Sequence, residues 1–168
     1  EADDDVGGTW YRNRYPGCRF DSESYTYGYS FSKELLDEWH WKERFSSQPE
    51  NLRYLRHVVD KFDLRRHMRF GARVARMAWD EAECRWRIHL QNGDDLSARF
   101  VITSIGPISA PIVPDLAGRD DFEGESFHTY RWPKDSVDLA GKRVGVIGTG
   151  ATAVQCVPHL GESGATGI

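Results

Sequence analysis

The glycine-rich turn at residues 148–153, GTGATA, has the residue types and the spacing that bind a diphosphate. In such a G-x-G-x-x-A turn the first glycine allows a tight bend, and the second lets the backbone approach a pyrophosphate. A short apolar run, Arg143–Ile147, precedes the turn, and a helical pattern from Val154 to Leu160 follows it. The phosphates would then lie at the positive end of a helix. A strand before the turn and a helix after it favour dinucleotide binding over a purely structural turn.

The stretch at residues 122–133, FEGESFHTYRWP, lies shortly before this turn and has no general chemical interpretation. Its histidine, His128, stands four residues before Trp132, and Pro133 follows at once. Two interpretations are open from the residues alone. The two side chains pack together in a connector, or the stretch is the signature of a particular kind of protein.

The composition is that of an ordinary globular protein. Charged residues make up 29% of the 168 residues and the formal net charge is −4, which argues against a nucleic-acid-binding protein. No apolar run approaches the ~20 residues that a membrane span needs. The three cysteines are scattered without metal-ligand spacing, so we expect no metal site. Such a set is typical of reduced thiols in a cytoplasmic protein.

Helices and loops are predicted for the first part of the chain. Residues 1–32 are rich in Gly, Tyr, Asp and Ser, and their many aromatic residues predict an ordered loop region. Lys33–Trp41 is predicted to be a short helix. Apolar residues at helical spacing predict a second helix over 48–62, and Ser47 and Glu50 have the spacing of a capping box at its start.

The hydrophobic period then changes to that of strands. Three strands are predicted, at Arg69–Met77, Cys84–Leu90 and Leu96–Ile105. The pair Asn92-Gly93 between the second and third is a strong hairpin signal. Three prolines follow within residues 107–114, which indicates a stiff connector rather than a helix.

Two further segments carry a resemblance to a known family. The opening stretch EADDDVGGTWYRNRYPGCRFD, Glu1–Asp21, resembles the FAD-binding segment of flavin-dependent Baeyer–Villiger monooxygenases. The turn at 148–153 looks like the NADPH-binding turn of the same family, and the order of the segments is also similar. Arg12 stands where the family usually has an aromatic residue. The family fingerprint F-x-G-x-x-x-H-x-x-x-W-[P/D] is matched at every fixed position, by Phe122, Gly124, His128, Trp132 and Pro133.

The resemblance implies an α/β fold with Rossmann-like FAD and NADP domains and a β-meander. Residues 1–106 would be part of the FAD-binding domain, with the meander at about 69–105. Residues 107–140 would connect the domains and carry the fingerprint, and residues 141–168 would begin the NADP-binding domain. The chain would be an internal fragment of a flavoprotein with two dinucleotide-binding domains. A first FAD glycine turn would precede Glu1, and the family's catalytic arginine would follow Ile168.

The resemblance also implies roles for individual residues. Asp21 would be the catalytic carboxylate, as partner of the arginine that this chain lacks. The residues implied for FAD are Glu1, Thr9, Trp10, Tyr11, Arg12, Asp21, Tyr27 and Val74. The residues implied for NADP are Arg19, Phe20, Asp21, Gly148, Thr149, Gly150, Ala151, Thr152, Ala153 and Gln155.

The implied activity is that of an NADPH- and FAD-dependent monooxygenase acting on a small ketone with O2. A flavin C4a-peroxide would insert one oxygen atom next to the carbonyl and give an ester or lactone. One alternative is a flavin monooxygenase that oxygenates nitrogen or sulfur, and Trp132-Pro133 argues against it because its related fingerprint lacks that ending. Another alternative is a non-catalytic dinucleotide-binding module. The chain alone is expected to be inactive.

Overall fold

The computed structural model describes residues 1–167, and Ile168, with which the predicted NADP-binding unit ends, lies outside them. The predicted helices at 33–41 and 48–62 are confirmed with slightly earlier ends. Two short helical turns lie inside the segment predicted as an ordered loop. The helices are α1 Thr9–Arg12, α2 Ser24–Tyr27, α3 Lys33–Glu38, α4 Gln48–Lys61 and α5 Ala151–Glu162. Single 3-10 turns lie at Arg65–His67, Arg119–Asp121 and Thr129–Arg131.

Helix α4 is the central helix of the first part of the chain. It has Pro49 in its first turn and buries Leu52, Tyr54, Val58 and Val59 on one face. The predicted capping box is wrong, because the side chain of Ser47 makes no cap hydrogen bond. The carboxylate that should complete the box, on Glu50, is buried and accepts instead from the backbone N–H of Lys42 at 3.2 Å.

The three strands form an antiparallel meander in the order β1 Val74–Asp80, β2 Arg85–Leu90 and β3 Asp95–Ala98. The predicted hairpin at Asn92-Gly93 is confirmed, with Gly93 at a φ of 91°. The predicted first strand begins too early. Residues 69–72 instead bond to the start of the chain, where Gly71 N–H donates to the Asp3 carbonyl and Ala72 N–H to that of Glu1.

The third strand is shorter than predicted and ends at Ala98 instead of Ile105. Residues 101–106 have no ladder partner among the described residues. Several of their apolar side chains are exposed, including Ile102 at 88%. A strand is defined by its hydrogen-bonded neighbour, so the β-type sequence alone overestimates the strand length here.

Helix α5 confirms the predicted helical pattern after the glycine-rich turn. The predicted strand Arg143–Ile147 is reduced to one parallel bridge between Arg143 and Gly167, where Val144 N–H donates to the Gly167 carbonyl at 2.8 Å. The parallel direction is that of a strand–helix–strand crossover.

The hydrophobic core joins the first twenty residues to helix α5. The main buried cluster consists of Trp10, Tyr11, Tyr15, Cys18, Phe20, Leu52, Leu139, Cys156 and Leu160. A second cluster consists of Leu35, Tyr54 and Val58.

No helix within residues 1–167 is long and apolar enough to cross a membrane. Over the same residues, no group of three or more metal-binding side chains is brought together.

Candidate functional site

The glycine-rich turn is open to solvent and leads directly into helix α5. Gly148 has a φ of 125°, which favours glycine, whereas Gly150 is the N-cap residue with a φ of −75°. A Cβ atom added to either glycine would meet nothing within 4 Å. The first N–H groups of a helix have no partner within the helix, so those of Ala151 and Thr152 are available to an anion. The protein itself therefore leaves the space above Gly150 free.

The loop 15–21 lies against helix α5 and reaches the side chain of Gln155. The hydroxyl of Tyr15 donates to Oε1 of Gln155 at 2.8 Å, and Nε2 of Gln155 donates to Oδ1 of Asp21 at 2.7 Å. Gln155 also bonds to both backbone polar groups of Arg19. The structure thus brings three residues predicted for NADP, which are Arg19, Asp21 and Gln155, into one cluster.

An aromatic wall is formed by Trp10, Phe20 and Tyr27. The rings of Phe20 and Tyr27 are stacked with centroids 4.5 Å apart, and Trp10 meets Phe20 edge-on at 5.6 Å. Nε1 of Trp10 donates to the Tyr27 hydroxyl at 2.8 Å. Trp10 and Phe20 are buried, whereas Tyr27 is partly exposed. The group is thus packed against itself inside the core, and Tyr27 is the ring of the three that reaches solvent.

Arg12, the departure from the family pattern, links the first segment to the fingerprint. Its guanidinium pairs with the carboxylate of Asp3, and its Nη1 donates to the Tyr130 hydroxyl at 2.5 Å. These two partners raise the pKa of Arg12 above its usual value. The Tyr130 hydroxyl in turn donates to the Ser109 carbonyl at 2.8 Å. A fixed cation therefore stands at the end of α1.

A second link joins the end of the fingerprint to the same helical turn. Nζ of Lys134 lies 3.3 Å from the Tyr11 hydroxyl and 3.6 Å from the carboxylate of Asp4. The Tyr11 hydroxyl also donates to Asp4. Tyr11 is buried, so the buried end of α1 is held in place from the connector.

The five fixed fingerprint residues do not form one cluster. Nδ1 of His128 accepts from the Tyr130 N–H at 3.2 Å and caps the 3-10 turn. Trp132 packs against Phe127 at 5.5 Å between ring centroids and against the main core. Phe122 is 65% exposed, and a Cβ atom on Gly124 would lie 2.6 Å from its ring.

The remaining predicted FAD residues lie at the edges of this region. The carboxylate of Glu1 accepts from the Asp3 N–H at 2.9 Å, and the backbone of Glu1 bonds to residues just before β1. Val74 begins β1 and is exposed. Thr9 begins α1. The residues predicted for FAD therefore lie on separate elements, namely the start of the chain, α1, the loop before α2, α2 and β1.

Four contacting residues were missed by sequence reasoning: Asp3, Tyr15, Tyr130 and Lys134. Tyr130 lies at a variable position of the fingerprint, and that location is the one signal the sequence offers for it. Asp3 lies inside the stretch that resembles the FAD-binding segment, at a position given no role, and Lys134 lies outside every motif. The partner of Lys134, Tyr11, lies 123 residues away in sequence, and Asp3 meets Arg12 only because α1 folds as a helical turn. Local sequence patterns do not reveal either contact.

The comparisons with known proteins begin with a family match. Residues 18–166 match the family described as pyridine nucleotide-disulphide oxidoreductase, which is most of the chain. That range includes the loop 18–21, the fingerprint and the glycine-rich turn.

Three similar proteins each match nine-tenths or more of the chain. The 2-oxo-Δ3-4,5,5-trimethylcyclopentenylacetyl-CoA monooxygenase of Pseudomonas putida is 52% identical over 97% of this chain and 31% of its own length. The acetone monooxygenase (methyl acetate-forming) of Gordonia sp. is 48% identical over 92% of this chain and 29% of its own length. Phenazine N-monooxygenase of Lysobacter antibioticus is 43% identical over 90% and 28%.

Two solved structures share the fold. One is described as oxidized steroid monooxygenase bound to NADP, with a TM-score of 0.92, 51% identity, and coverage of 99% of this chain and 32% of that one. The other is OTEMO in complex with FAD and NADP, with a TM-score of 0.90, 51% identity, and coverage of 98% and 32%. The predicted fold class is confirmed.

The chain spans about a third of the length of the curated relatives that it matches. The family match and these similarities cover both predicted cofactor segments and the fingerprint between them. The chain therefore belongs to the pyridine nucleotide-disulphide oxidoreductase family, and it is similar to proteins named as Baeyer–Villiger monooxygenases.

Proposed function

We propose that this chain belongs to an NADPH- and FAD-dependent Baeyer–Villiger monooxygenase that converts a small ketone and O2 into an ester or lactone. The observation that carries the proposal is the position of Asp21. Its carboxylate lies 2.7 Å from Gln155, on the helix that follows the glycine-rich turn, and it follows Phe20 of the aromatic wall directly. One carboxylate thus lies between the two segments assigned to the two cofactors.

The residues present fit both cofactors. The exposed turn and the free space above Gly150 suit the pyrophosphate of NADPH, with the N–H groups of Ala151 and Thr152 as donors. The exposed ring of Tyr27, backed by the buried Phe20 and Trp10, suits contact with a planar ring system such as that of FAD. When bound, FAD supplies the redox and oxygen-transfer chemistry, and the protein supplies orientation and charge.

Asp21 is proposed as the residue that holds a cation beside the flavin. Oxygen transfer to a carbonyl carbon develops negative charge, which a fixed cation stabilises. A cation in a partly dry site needs an anionic partner, because an unpaired buried charge is strongly unfavourable. The exposed carboxylate of Asp21 is free to receive a cationic group on the side that Gln155 does not occupy.

A second candidate function is the oxygenation of nitrogen. The 43% identity with a phenazine N-monooxygenase favours it. In that reaction the acceptor is a nitrogen lone pair instead of a carbonyl carbon, so the same cofactor segments would serve. The Trp132-Pro133 ending of the fingerprint and the ester-forming relative favour the ketone reaction.

Product analysis under labelled oxygen tests the proposal. The full-length protein is incubated with FAD, NADPH and 18O2, with a panel of linear and cyclic ketones, and with a phenazine and an organic sulfide. We expect an ester or lactone that carries one labelled oxygen atom. N-oxides or S-oxides alone would replace the proposal with the second candidate. Nucleotide binding without NADPH oxidation on any compound would indicate a non-catalytic module.

The proposed compartment is the cytoplasm. Cys18, Cys84 and Cys156 are free thiols, and thiols persist in a reducing compartment. The proposed reaction also needs NADPH, which is a cytoplasmic reductant. Fractionation of cells that express a tagged full-length protein would test this, and recovery in an oxidising compartment would contradict it.

A further inference from the structure

The side chain of Gln155 uses its whole hydrogen-bonding capacity on the loop 15–21. Oε1 accepts from the Tyr15 hydroxyl at 2.8 Å and from the Arg19 N–H at 3.2 Å. Nε2 donates to the Arg19 carbonyl at 2.9 Å and to Oδ1 of Asp21 at 2.7 Å. A carboxamide has two N–H donors and two acceptor lone pairs on its oxygen, so the group is saturated. A direct bond from this amide to NADPH would require one of these four bonds to break.

Close to Gln155, the backbone of the loop 15–21 packs directly against helix α5. A Cβ atom on Gly17 would lie 2.2 Å from the Gln155 carbonyl oxygen and 2.2 Å from Cδ2 of His159. Gly17 also has a φ of 76°, so glycine is favoured for two reasons. Beside it, Cys18 and Cys156 are both buried in the main core. The loop therefore cannot shift along α5 without disturbing a packed interface.

Asp21, in contrast, has little else to hold it. Its side chain is exposed, and within residues 1–167 the bond from Gln155 is the one hydrogen bond that its carboxylate accepts. An exposed carboxylate without a partner samples several rotamers, whereas one held by an N–H donor is restricted to one orientation. The orientation of Asp21 is therefore set from helix α5.

We propose that Gln155 is a positioning residue that couples the dinucleotide turn to Asp21, an inference that rests on the role proposed above for Asp21. Gln155 lies two residues after Ala153, the last residue of the turn, on the same rigid helix. A phosphate bound at the start of α5 stabilises that helix, and the helix presents its amide to Asp21. The carboxylate beside the flavin is thus correctly oriented when the dinucleotide turn and α5 are in place.

A double-mutant cycle in the full-length protein tests the coupling. The variants are Gln155→Leu, Asp21→Asn and their combination, with kcat and the KM for NADPH measured on the same ketone. We expect Gln155→Leu to lower kcat about tenfold, as for the loss of a bond to a charged group, with KM changed less than about twofold. The kcat of the double variant should be no lower than that of Asp21→Asn, because both changes act through the same carboxylate.

Two further variants separate positioning from folding. Tyr15→Phe removes another bond to the same amide but leaves the bond to Asp21, so kcat should change less than about twofold. Gln155→Glu keeps the shape and the acceptor atom but replaces the donor with an oxygen next to Asp21, so kcat should fall at least as far as in Gln155→Leu. Bound FAD should remain near that of the wild type in all variants. The melting temperature should remain so in Tyr15→Phe but fall in the Gln155 variants, which also lose bonds to Arg19, so kcat is compared well below every melting temperature. Additive effects, or an increase in KM alone, would overturn the proposal.

A measurement without turnover distinguishes this proposal from the proposed function. Hydrogen exchange of the peptide that contains residues 15–21 is followed with and without NADP+. We expect NADP+ to slow exchange in the wild type and Gln155→Leu to abolish that effect. An enzyme that forms no ester but shows this protection would overturn the proposed function and support the coupling. Equal protection in both proteins would overturn the coupling.

Discussion

At the scale of single residues, the two glycines of the turn have different reasons to be glycine. Gly148 has a φ of 125°, a conformation that other residues adopt only with strain. Gly150 has an ordinary φ of −75° and free space around it. The packing of the protein does not require glycine at position 150, and besides the preference for glycine as an N-cap we propose a ligand close to the backbone as its reason.

Substitution of these glycines should therefore separate ligand binding from folding. We expect Gly150→Val to raise the KM for NADPH at least about tenfold, because the side chain blocks the approach of the pyrophosphate to the backbone. FAD content and melting temperature should change little. Gly148→Ala is the control. Strain should lower its free energy of unfolding by about 1 kcal/mol or more, and its melting temperature by several degrees. Unchanged NADPH kinetics in Gly150→Val would mean that the turn is purely structural.

The buried thiol of Cys18 makes the free energy of unfolding depend on pH. Desolvation raises the pKa of its buried thiol from 9.0 to about 11. The unfolded chain ionises first, so the contribution of this thiol to stability is complete below about pH 9 and is lost as the pH rises towards 11. We expect the stability of the wild type relative to Cys18→Ala to fall by about 2 kcal/mol between pH 8 and about pH 10.5. Urea unfolding at the two pH values measures this, and a difference that does not depend on pH would contradict it.

At the scale of elements, the starts of helices α3 and α4 use serine differently. Oγ of Ser32 accepts from the Leu35 N–H at 3.2 Å and caps α3. Ser47 has the sequence context of a stronger cap, yet it stabilises α4 with its backbone carbonyl, which accepts from Glu50 and Asn51 at 3.1 Å each. The side chain of Glu50 has a partner in Lys42, so the reciprocal box does not form.

The two serines therefore form a matched pair for mutation. We expect Ser32→Ala to lower the free energy of unfolding by about 1 kcal/mol, the usual effect of losing an N-cap. Ser47→Ala should lower it by less than about 0.5 kcal/mol, because only its backbone takes part. Chemical unfolding of both variants under identical conditions measures the difference. Equal losses would show that the Ser47 hydroxyl has a role that its contacts do not reveal.

At the scale of the whole molecule, the second half of the chain exposes many large apolar side chains. Exposed apolar side chains in such number are expected where a protein surface is covered by another part of the protein or by a partner. The most exposed of them, at 75–88%, are Phe100, Ile102, Ile105, Ile112 and Ile147.

The isolated 168-residue polypeptide should therefore self-associate and retain little FAD. Its apolar segments have no partner strand within residues 1–167, and unpaired strand-like segments promote association. After incubation with FAD and gel filtration, we expect large species without a stoichiometric flavin spectrum and without NADPH-dependent ketone oxidation. The double variant Ile102→Ser, Ile147→Ser should shift the elution towards the monomer. A monomeric wild-type polypeptide with bound flavin would contradict this prediction.

The features that depend on local geometry and periodicity could be predicted from the sequence. The glycine-rich turn with its helix, helix α4 and the hairpin at Asn92-Gly93 each follow from a few neighbouring residues, and the structure has all of them. The resemblance to Baeyer–Villiger monooxygenases was also readable, because the fingerprint and the cofactor segments are contiguous stretches of sequence.

The tertiary structure alone decided which distant residues meet. Gln155 reaches Asp21 across 134 positions, and Tyr130 reaches Arg12 across 118. Strand ends and the failed capping box were decided in the same way, by whether a partner from elsewhere in the chain was present. A side chain's hydrogen-bonding capacity is visible in sequence, but its partner is selected by packing, because a buried polar group must bond to whatever the fold places beside it.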